Sequence, residues 1–374
     1  MSGFRLARIF GFDIRIDFSW FIIFFLILWS FTMAVFPSEA PGLGQASYIA
    51  MGLGGAILFF VSLLLHELSH AVVARAKGIP VDGITLFIFG GMAHTRTEAE
   101  TPGDEFQIAA VGPLASFLIA VGLAAFVWLG ADAGVSFPIL VVAQYLALLN
   151  LVLAVFNLLP GFPLDGGRLL RAIVWKVTGS VTKATRVASS GGRLLGYALV
   201  ALGLFMAFRG NVVGGLWLVF IGWFLRNAAI SSLQQHLTHE VLAQSEARQV
   251  MTAAPVTVPA DRTLQELLEE FILRQRFTAF PVERNGQVVG LVSLNELKVV
   301  PREEWNEKRA SDIMVPADEH TVVAPFDPMI VVLEKLRAAP ARRLLVLHNG
   351  ELEGIITARD VAAWIERARR REEE

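Results

Sequence analysis

Two histidines and a glutamate interrupt an otherwise apolar stretch of the chain, "SLLLHELSHAVVARAKG" (62–78). In a helix, residues four apart share a face, so His66 and His70 lie one turn apart with Glu67 beside them. This is the H-E-x-x-H pattern, in which two imidazoles bind zinc and the glutamate acts as general base toward a water molecule. Ionisable groups inside a membrane helix are costly and usually functional. The pattern therefore predicts a hydrolytic metal site, the alternative being a polar helix contact.

A catalytic zinc ion usually takes three protein ligands, so a third residue must come from elsewhere. The chain has 7 histidines and no cysteine, which leaves His, Asp or Glu. The stretch "NLVLAVFNLLPGFPLDGGRLLR" (150–171) begins as an apolar span, breaks at Pro160 and presents Asp165 before two glycines. We predict Asp165 as the third ligand. In the alternative interpretation, Asp165 caps the helix that follows.

Other polar groups lie near this site in sequence. Asn157, one turn before Pro160, could hydrogen-bond a substrate carbonyl or stabilise an oxyanion, or it could tie down the unwound backbone. The segment "ITLFIFGGMAHTR" (84–96) is apolar but short for a span, and it predicts a strand or hairpin. Within this segment, Gly90, Gly91 and His94 are candidate substrate contacts, although His94 could instead lie at the membrane interface.

The composition indicates a membrane protein. Of the 374 residues, 54% are hydrophobic and only 18% are charged, whereas about a quarter is charged in an average globular protein. The net charge of -2 indicates no nucleic-acid partner, and the absence of cysteine excludes disulfides. The first apolar run, 18–36, is too long for the core of a cleavable signal peptide.

Six apolar stretches are candidates for membrane-spanning helices. Lys and Arg are concentrated before the first, after the second and between the fourth and fifth, so the positive-inside rule places the N-terminus and everything after about 230 in the cytoplasm. His70 and His66 then lie about 10–16 Å inside the cytoplasmic interface. Before the first span, "FDIRIDF" (12–18) alternates polar and apolar residues and predicts a surface strand. The spans are expected near 18–36, 48–76, 106–130, 138–159, 192–208 and 213–230.

The last part of the chain reads as soluble α/β structure with an internal repeat. "VMTAAPVTV" (250–258) recurs as "IMVPADEHTVV" (313–323), and "NGQVVGLVSLNEL" (285–297) recurs as "NGELEGIITARDV" (349–361). Each copy predicts two short strands plus helices, packed as two similar modules. We therefore expect a membrane domain at 1–232, a linker at 233–246 and a repeat domain at 247–374, with modules at about 247–302 and 310–370.

"HELSH" (66–70), "FGGMAH" (89–94) and "NLLPGFPLDGGR" (157–168) together resemble the site-2 protease family of intramembrane zinc metalloproteases. The resemblance covers most of residues 1–230. It implies that His66, His70 and Asp165 hold one zinc ion, that Glu67 is the general base and that Asn157 contacts the substrate or the oxyanion. It also implies a membrane-anchored protein substrate, cut within or beside a transmembrane segment, and a prokaryotic cell-membrane location.

"GLVSLNE" (290–296) and "GIITARD" (354–360) resemble the pattern of cystathionine-β-synthase-type (CBS) modules. In that family, the hydroxyl and the carboxylate of this pattern contact the ribose and phosphate of adenosine. The resemblance implies Ser293, Glu296, Thr357 and Asp360 as nucleotide contacts for ATP, ADP or AMP, with Glu296 standing where the family has Asp. Alternatively, the pair only forms a homodimer or supports the membrane domain.

The sequence thus predicts an α-helical integral membrane domain of about six transmembrane helices with short membrane-associated strands, followed by a soluble α/β CBS pair. The favoured function is regulated intramembrane proteolysis by a zinc metalloendopeptidase. One alternative is a zinc or other cation transporter regulated by its CBS modules, for which Glu67→Gln should preserve flux. Another is a catalytically inactive scaffold, against which the intact set of His66, Glu67, His70 and Asp165 argues.

Overall fold

The structure is a computed structural model that describes residues 3–95, 97, 99–275, 277–339 and 342–373. The chain forms two compact units, residues 1–234 and 235–374. The first unit contains the apolar segments, and the second contains the internal repeat.

Six helices in the described part of the chain are long and apolar enough to cross a bilayer, which confirms the predicted number. A further helix, α5 (Asp165–Thr178), is shorter and amphipathic, and it follows the break at Pro160. The six long helices are α1 (Ser19–Glu39, with a π-helical turn at Phe31–Val35), α2 (Gln45–Ala76), α3 (Pro102–Asp132), α4 (Phe137–Asn157), α6 (Val181–Phe208) and α7 (Val212–Ala243).

Two helix boundaries differ from the prediction. Helix α6 begins at Val181 rather than near 192, because the polar side chains of its first turns are used inside the protein. Ser189 Oγ, for example, donates to the Ala229 carbonyl oxygen at 2.7 Å. Helix α7 continues to Ala243, so most of the expected linker at 233–246 is helical. No glycine or proline occurs in 231–243 to end the helix earlier.

A four-stranded sheet packs against the helix that carries His66 and His70. The strand order is β1-β2-β3-β4, with β2 and β3 parallel and the outer pairs antiparallel. The structure confirms the predicted strand at 12–18, and the segment 84–96, predicted as a strand or hairpin, is a hairpin over its described residues 84–95. It adds β1, which joins β2 through a two-residue turn with positive φ at Phe10 and Gly11. The strands are β1 (Gly3–Ile9), β2 (Phe12–Asp17), β3 (Val81–Phe87) and β4 (Gly90–Thr95).

The buried face of this sheet fixes its position. Phe12, Ile14 and Ile84 are fully buried and pack with Leu68 and Ala71 of α2. Because strand residues alternate between faces, this register leaves the polar residues of β2 on the other side. The order places β4 at an edge of the sheet, directly beside α2.

The second unit contains two modules with the same construction, as the repeat predicts. Each has a four-stranded sheet, and each sheet takes one short strand from the start of the other repeat: β9 pairs with β8, and β5 pairs with β12. The two sheets share an apolar cluster of Leu291, Leu345 and Ile355. The strands are β5 (Thr252–Ala253), β6 (Val258–Pro259), β7 (Ala279–Arg284), β8 (Gln287–Ser293), β9 (Val315–Pro316), β10 (Val322–Val323), β11 (Arg343–His348) and β12 (Glu351–Thr357).

Short helices cover these two sheets. Each module has its own apolar core, one around Phe280 and Leu297 and the other around Met329 and Ile356. The helices are α8 (Ala247–Val250), α9 (Leu264–Glu266, continued by a π-helical turn at Leu267–Ile272), α10 (Leu294–Lys298), α11 (Ala310–Ile313), α12 (Met329–Ala338) and α13 (Ala358–Glu373), with a 3₁₀ turn at Arg302–Glu304.

Candidate metal centre

Helix α2 places the two histidines of the H-E-x-x-H pattern inside the membrane unit. His66 is 2% exposed and His70 is 6% exposed. Their Nε2 atoms lie 3.3 Å apart, because residues four apart stack on one face of a helix. The two imidazoles therefore present their ring nitrogens to the same point.

Asp165 completes this group from another helix. It is the first residue of α5, and its Oδ2 lies 3.1 Å from His66 Nε2 and 3.2 Å from His70 Nε2. Its polar contacts among the described residues are with these imidazoles, so the carboxylate is not used as a helix cap.

The spacing of the three atoms fits zinc. Ligand atoms at about 2.0–2.1 Å from a tetrahedral zinc ion lie about 3.3 Å from one another. The observed edges of the His66, His70 and Asp165 triangle are 3.1, 3.2 and 3.3 Å. Three protein ligands in this arrangement leave the fourth tetrahedral position for water or substrate, as in catalytic zinc sites.

Helix α3 holds both imidazoles from behind. His70 Nδ1 donates to the Ile108 carbonyl oxygen at 2.6 Å, which leaves its Nε2 as an acceptor. His66 Nδ1 lies 2.9 Å from Ser116 Oγ. Partners of this kind fix the tautomer and orientation of metal-binding histidines. Neither partner can be identified from the sequence, because a backbone carbonyl has no residue signature and Ser116 is one small residue in an apolar span.

Gly112 of α3 lies against the same imidazoles. A Cβ at this position would lie 2.7 Å from His66 Nε2 and closer still to His70 Nε2. Only glycine therefore leaves room for both rings and an ion. The sequence does offer one signal for Gly112, which is the Gly-Pro pair inside a predicted span.

Close backbone packing positions the loop that carries Asp165. A side chain on Gly166 or Gly167 would collide with backbone of residues 158–162, and a side chain on Gly192 of α6 would collide with the Phe162 carbonyl. Phe162 N also donates to the Ala188 carbonyl oxygen at 3.1 Å. Gly166, Gly167 and Gly192 therefore serve one purpose, which is to let the loop before α5 lie close to its neighbours.

Glu67 lies on the side of α2 that faces the edge strand. A Cβ on Gly91 of β4 would lie 2.8 Å from Glu67 Cδ, so backbone and side chain are in direct contact there. Gly90 has a φ of 136°, a conformation that favours glycine. At the turn between β3 and β4, Phe89 stacks on Phe224 of α7 with ring centroids 3.7 Å apart.

Asn157 and His94 do not belong to the group of three possible metal ligands. Asn157 ends α4, and its Nδ2 donates to the Leu153 carbonyl oxygen at 3.1 Å, so its amide is used within its own helix. The backbone of His94 lies in β4 opposite Gly83, while its side chain lies outside the described part of the structure. Roles for these two residues stay predictions.

The four residues predicted to contact a nucleotide form two equivalent pairs. Ser293 N and Oγ donate to Glu296 Oε2 at 2.8 and 2.5 Å, at the junction of β8 and α10. Thr357 N and Oγ1 donate to Asp360 Oδ2 at 2.8 and 2.6 Å, at the junction of β12 and α13. Each pair thus forms a reciprocal cap at a helix start.

The pairs differ in accessibility. Ser293 is 1% exposed, whereas Thr357 is only partly buried. Asp360 also accepts a hydrogen bond from Thr252 at 3.3 Å. A separate cavity of about 720 Å³ in this unit is lined by Asp261, Arg284 and Arg309 among others, and none of the four predicted residues lines it.

The sequence matches known families in both units. Residues 54–135 and 130–199 match Peptidase family M50, and residues 247–301 and 310–367 match the CBS domain. Rip3 of Mycobacterium tuberculosis (strain H37Rv), named as a candidate zinc metalloprotease, is 38% identical over 365 residues, which are 96% of this chain and 92% of Rip3. Zinc metalloprotease MJ0392 of Methanocaldococcus jannaschii is 31% identical over 306 residues, 82% of this chain and 83% of that protein.

A solved site-2 protease from Methanocaldococcus jannaschii is similar, with 28% identity and a TM-score of 0.41 over 62% of this chain and 95% of that chain. The six spans and the metal centre define a multi-pass membrane metalloprotease with a CBS pair. With relatives this similar along nearly its whole length, the chain belongs to Peptidase family M50, the site-2 protease family of zinc metalloproteases.

Proposed function

We propose that this chain hydrolyses a peptide bond in or beside a transmembrane segment of a membrane-anchored protein, using zinc held by His66, His70 and Asp165. The observation that carries the proposal is the convergence of these three ligand atoms, 3.1–3.3 Å apart, inside the membrane unit. A general base on the same helix, Glu67, completes the set needed for metal-assisted hydrolysis.

Each residue of the site then has its own part in the reaction. Held by His66, His70 and Asp165, a zinc ion would supply Lewis acidity toward the scissile carbonyl and the attacking water. The Glu67 carboxylate takes the proton from this water and delivers it to the nitrogen of the leaving amine. Asn157 turns its Nδ2 from the Leu153 carbonyl to the developing oxyanion. Ser116 and Ile108 hold the two imidazoles in orientation throughout.

The substrate binds in extended form along β4. A helical substrate hides its peptide bonds within its own hydrogen bonds, so it must unwind before cleavage. Strand β4 is the last strand of its sheet, and an edge strand can pair with an added strand through backbone hydrogen bonds. Gly90 and Gly91 let the substrate backbone approach, and the contact of Gly91 with Glu67 brings the added strand to the general base. His94 contributes a further substrate contact on this strand.

The protein lies in a prokaryotic cell membrane with its N-terminus and CBS pair in the cytoplasm. Arg5, Arg8 and Arg15 precede the first span, and Arg75 and Lys77 close the second. This distribution follows the positive-inside rule. The catalytic residues lie toward the cytoplasmic end of α2, and water reaches them from that side.

The CBS pair regulates cleavage by binding an adenine nucleotide, and it also favours a homodimer. Thr357 and Asp360 are the better contacts, since their module leaves the threonine partly exposed. Ser293 and Glu296 act in the same way in the other module. To bind a nucleotide, each pair has to share or exchange the capping hydrogen bonds that it now makes.

The test is metal analysis of the purified full chain together with cleavage of a model single-span substrate. We expect about one zinc per chain, and Glu67→Gln should retain zinc while cleavage falls by at least about 1000-fold, since the base is lost. Ser62→Ala on the same helix is the matched control and should cleave normally, because the Ser62 hydroxyl donates to the nearby Phe59 carbonyl oxygen of that helix.

Cleavage by Glu67→Gln at the normal rate would exclude this mechanism, and zinc flux through that variant would favour a transporter instead. The same assay with ATP or AMP tests regulation. A rate that responds to neither nucleotide, together with no binding of either, would contradict the nucleotide proposal without affecting the protease proposal.

A further inference from the structure

One buried ion pair lies beside the metal centre and has no role in the chemistry above. Glu105 of α3 is fully buried, and Arg171 of α5 is 9% exposed. Arg171 donates through Nε and Nη2 to the same oxygen, Glu105 Oε1, at 2.7 and 2.5 Å. The Glu105 Oε2 atom is buried without a hydrogen-bond partner among the described residues. A buried pair of this kind adds little net stability compared with an apolar pair.

The position of Glu105 on its helix relates it to the zinc ligands. Glu105, Ile108, Gly112 and Ser116 are spaced at intervals of three and four residues, so they lie on one face of α3. Ile108 and Ser116 each hydrogen-bond one imidazole, and Gly112 leaves room for both. Glu105 extends this face by one turn and reaches the helix that begins with the third ligand.

The position of Arg171 relates the ion pair to Asp165, because both residues belong to α5. Arg171 follows Asp165 by six residues on α5, about 9 Å along the helix axis. Two N–H groups in a fixed fork define both the rotation and the axial position of α5 relative to α3. Arg168, whose Nε is 3.9 Å from Glu105 Oε1, adds a second cation on the same helix. The carboxylate of Asp165 therefore depends on this pair for its distance from the imidazoles.

We infer that Glu105 and Arg171 are positioning residues that set the location of Asp165 and thereby the zinc affinity of the site. Helix α3 then locates all three ligands from a single face: His70 through Ile108, His66 through Ser116, and Asp165 through the ion pair. This inference rests on the zinc site of the proposed function.

The experiment measures zinc affinity of the purified full chain by competition with a chelator, together with the visible spectrum of the Co²⁺-substituted protein. Glu105→Gln should weaken zinc binding by about 10–100-fold, as is usual when a group supporting a metal ligand is lost. It should also change the Co²⁺ bands that report tetrahedral geometry. Asp104→Asn is the matched control, because Asp104 is the adjacent carboxylate and pairs instead with Lys77 at 2.9 Å. It should leave both readouts unchanged.

A double variant separates positioning from folding. Glu105→Gln alone removes the buried carboxylate that Arg171 bonds, which destabilises the chain. Glu105→Gln with Arg171→Met removes both charges, so its thermal unfolding should return toward that of the unmodified chain. Its zinc affinity should nevertheless stay about tenfold or more below normal.

Normal zinc affinity and a normal Co²⁺ spectrum in the double variant would overturn the inference, because the pair would then serve folding only. The unmodified chain distinguishes this failure from failure of the proposed function. If it binds zinc but cleaves no substrate, proteolysis is wrong while the positioning role is still measured. If it binds no zinc, the zinc site itself is wrong.

Discussion

The metal centre and the CBS helix caps each contain carboxylates, and the two regions satisfy the hydrogen bonds of these groups in different ways. At the metal centre, His70 Nε2 and Asp165 Oδ2 lie 3.2 Å apart, although the Ile108 carbonyl makes that nitrogen an acceptor. Two acceptors at this distance require a cation or a proton between them. At the CBS caps, Thr357 N and Oγ1 both donate to Asp360 Oδ2, so these groups already have partners without a ligand.

This difference explains why the H-E-x-x-H pattern indicates a function from sequence alone, whereas the Ser/Thr-x-x-Asp/Glu pattern of the CBS modules fits both a nucleotide contact and a helix cap. Inside a membrane helix, His66 and His70 have few structural uses that would repay their cost. At a strand–helix junction in a soluble module, a Ser or Thr three residues before Asp or Glu is a common cap. A polar pattern therefore indicates chemistry only where no structural role already accounts for its residues.

The largest expected effect comes from filling the space between the imidazoles. Gly112→Ala places a methyl group within 2.7 Å of His66 Nε2 and closer to His70 Nε2. The rings must move apart, so zinc affinity should fall by at least about 100-fold and cleavage with it, more than for loss of one supporting group. Chelator competition and metal analysis measure this loss.

Gly122→Ala provides the control on the same helix, because nothing lies within 4 Å of a Cβ there. This variant should bind zinc normally and unfold at the same or a slightly higher temperature, since alanine favours a helix over glycine. Equal zinc affinity in the two variants would mean that α3 does not limit the space of the metal centre.

A loss of cleavage of intermediate size is expected from a substitution in β4, the strand that contacts Glu67. Gly91→Ala places a Cβ 2.8 Å from Glu67 Cδ, so either the carboxylate or strand β4 must shift. Misplacement of a catalytic group by about 1 Å costs about 100-fold in rate, and we expect a 10–100-fold loss of cleavage with zinc content unchanged. Met92→Ala, at an exposed neighbour in β4, is the control. Loss of zinc in Gly91→Ala would show that β4 supports the ligands rather than the base.

Much of the fold could be predicted because hydropathy and periodicity report burial directly. The number of spans, the strand at 12–18 and the strand or hairpin expected within 84–96 agree with the described part of the structure. The first turns of α6 could not be assigned from hydropathy, because Thr185 and Ser189 are polar yet fully buried against protein. The exchanged strands β5 and β9 have two residues each, too few for an alternating pattern.

The site itself was predictable only where side-chain identity carries the chemistry. Residue type and spacing identify His66, His70 and Asp165 in the sequence, and the structure brings their ligand atoms together. The residues that hold them are not visible in this way. Ile108 acts through its carbonyl, Gly112 acts by lacking a side chain, and Glu105 is informative only once Arg171 is seen beside it.

The smallest effects are expected from substitutions in the helix caps of the CBS modules. Asp360→Asn and Glu296→Gln each weaken a helix cap, so each should lower the free energy of unfolding of the soluble unit by about 1 kcal/mol. If the caps also contact nucleotide, Asp360→Asn should weaken ATP or AMP binding at least tenfold, measured by calorimetry on the full chain. Glu296→Gln should affect binding less, because Ser293 beside it is 1% exposed. Equal stability losses with unchanged nucleotide affinity in both variants would assign these pairs to folding alone, and the residues around the separate cavity near Arg284 and Arg309 would then be the next to substitute.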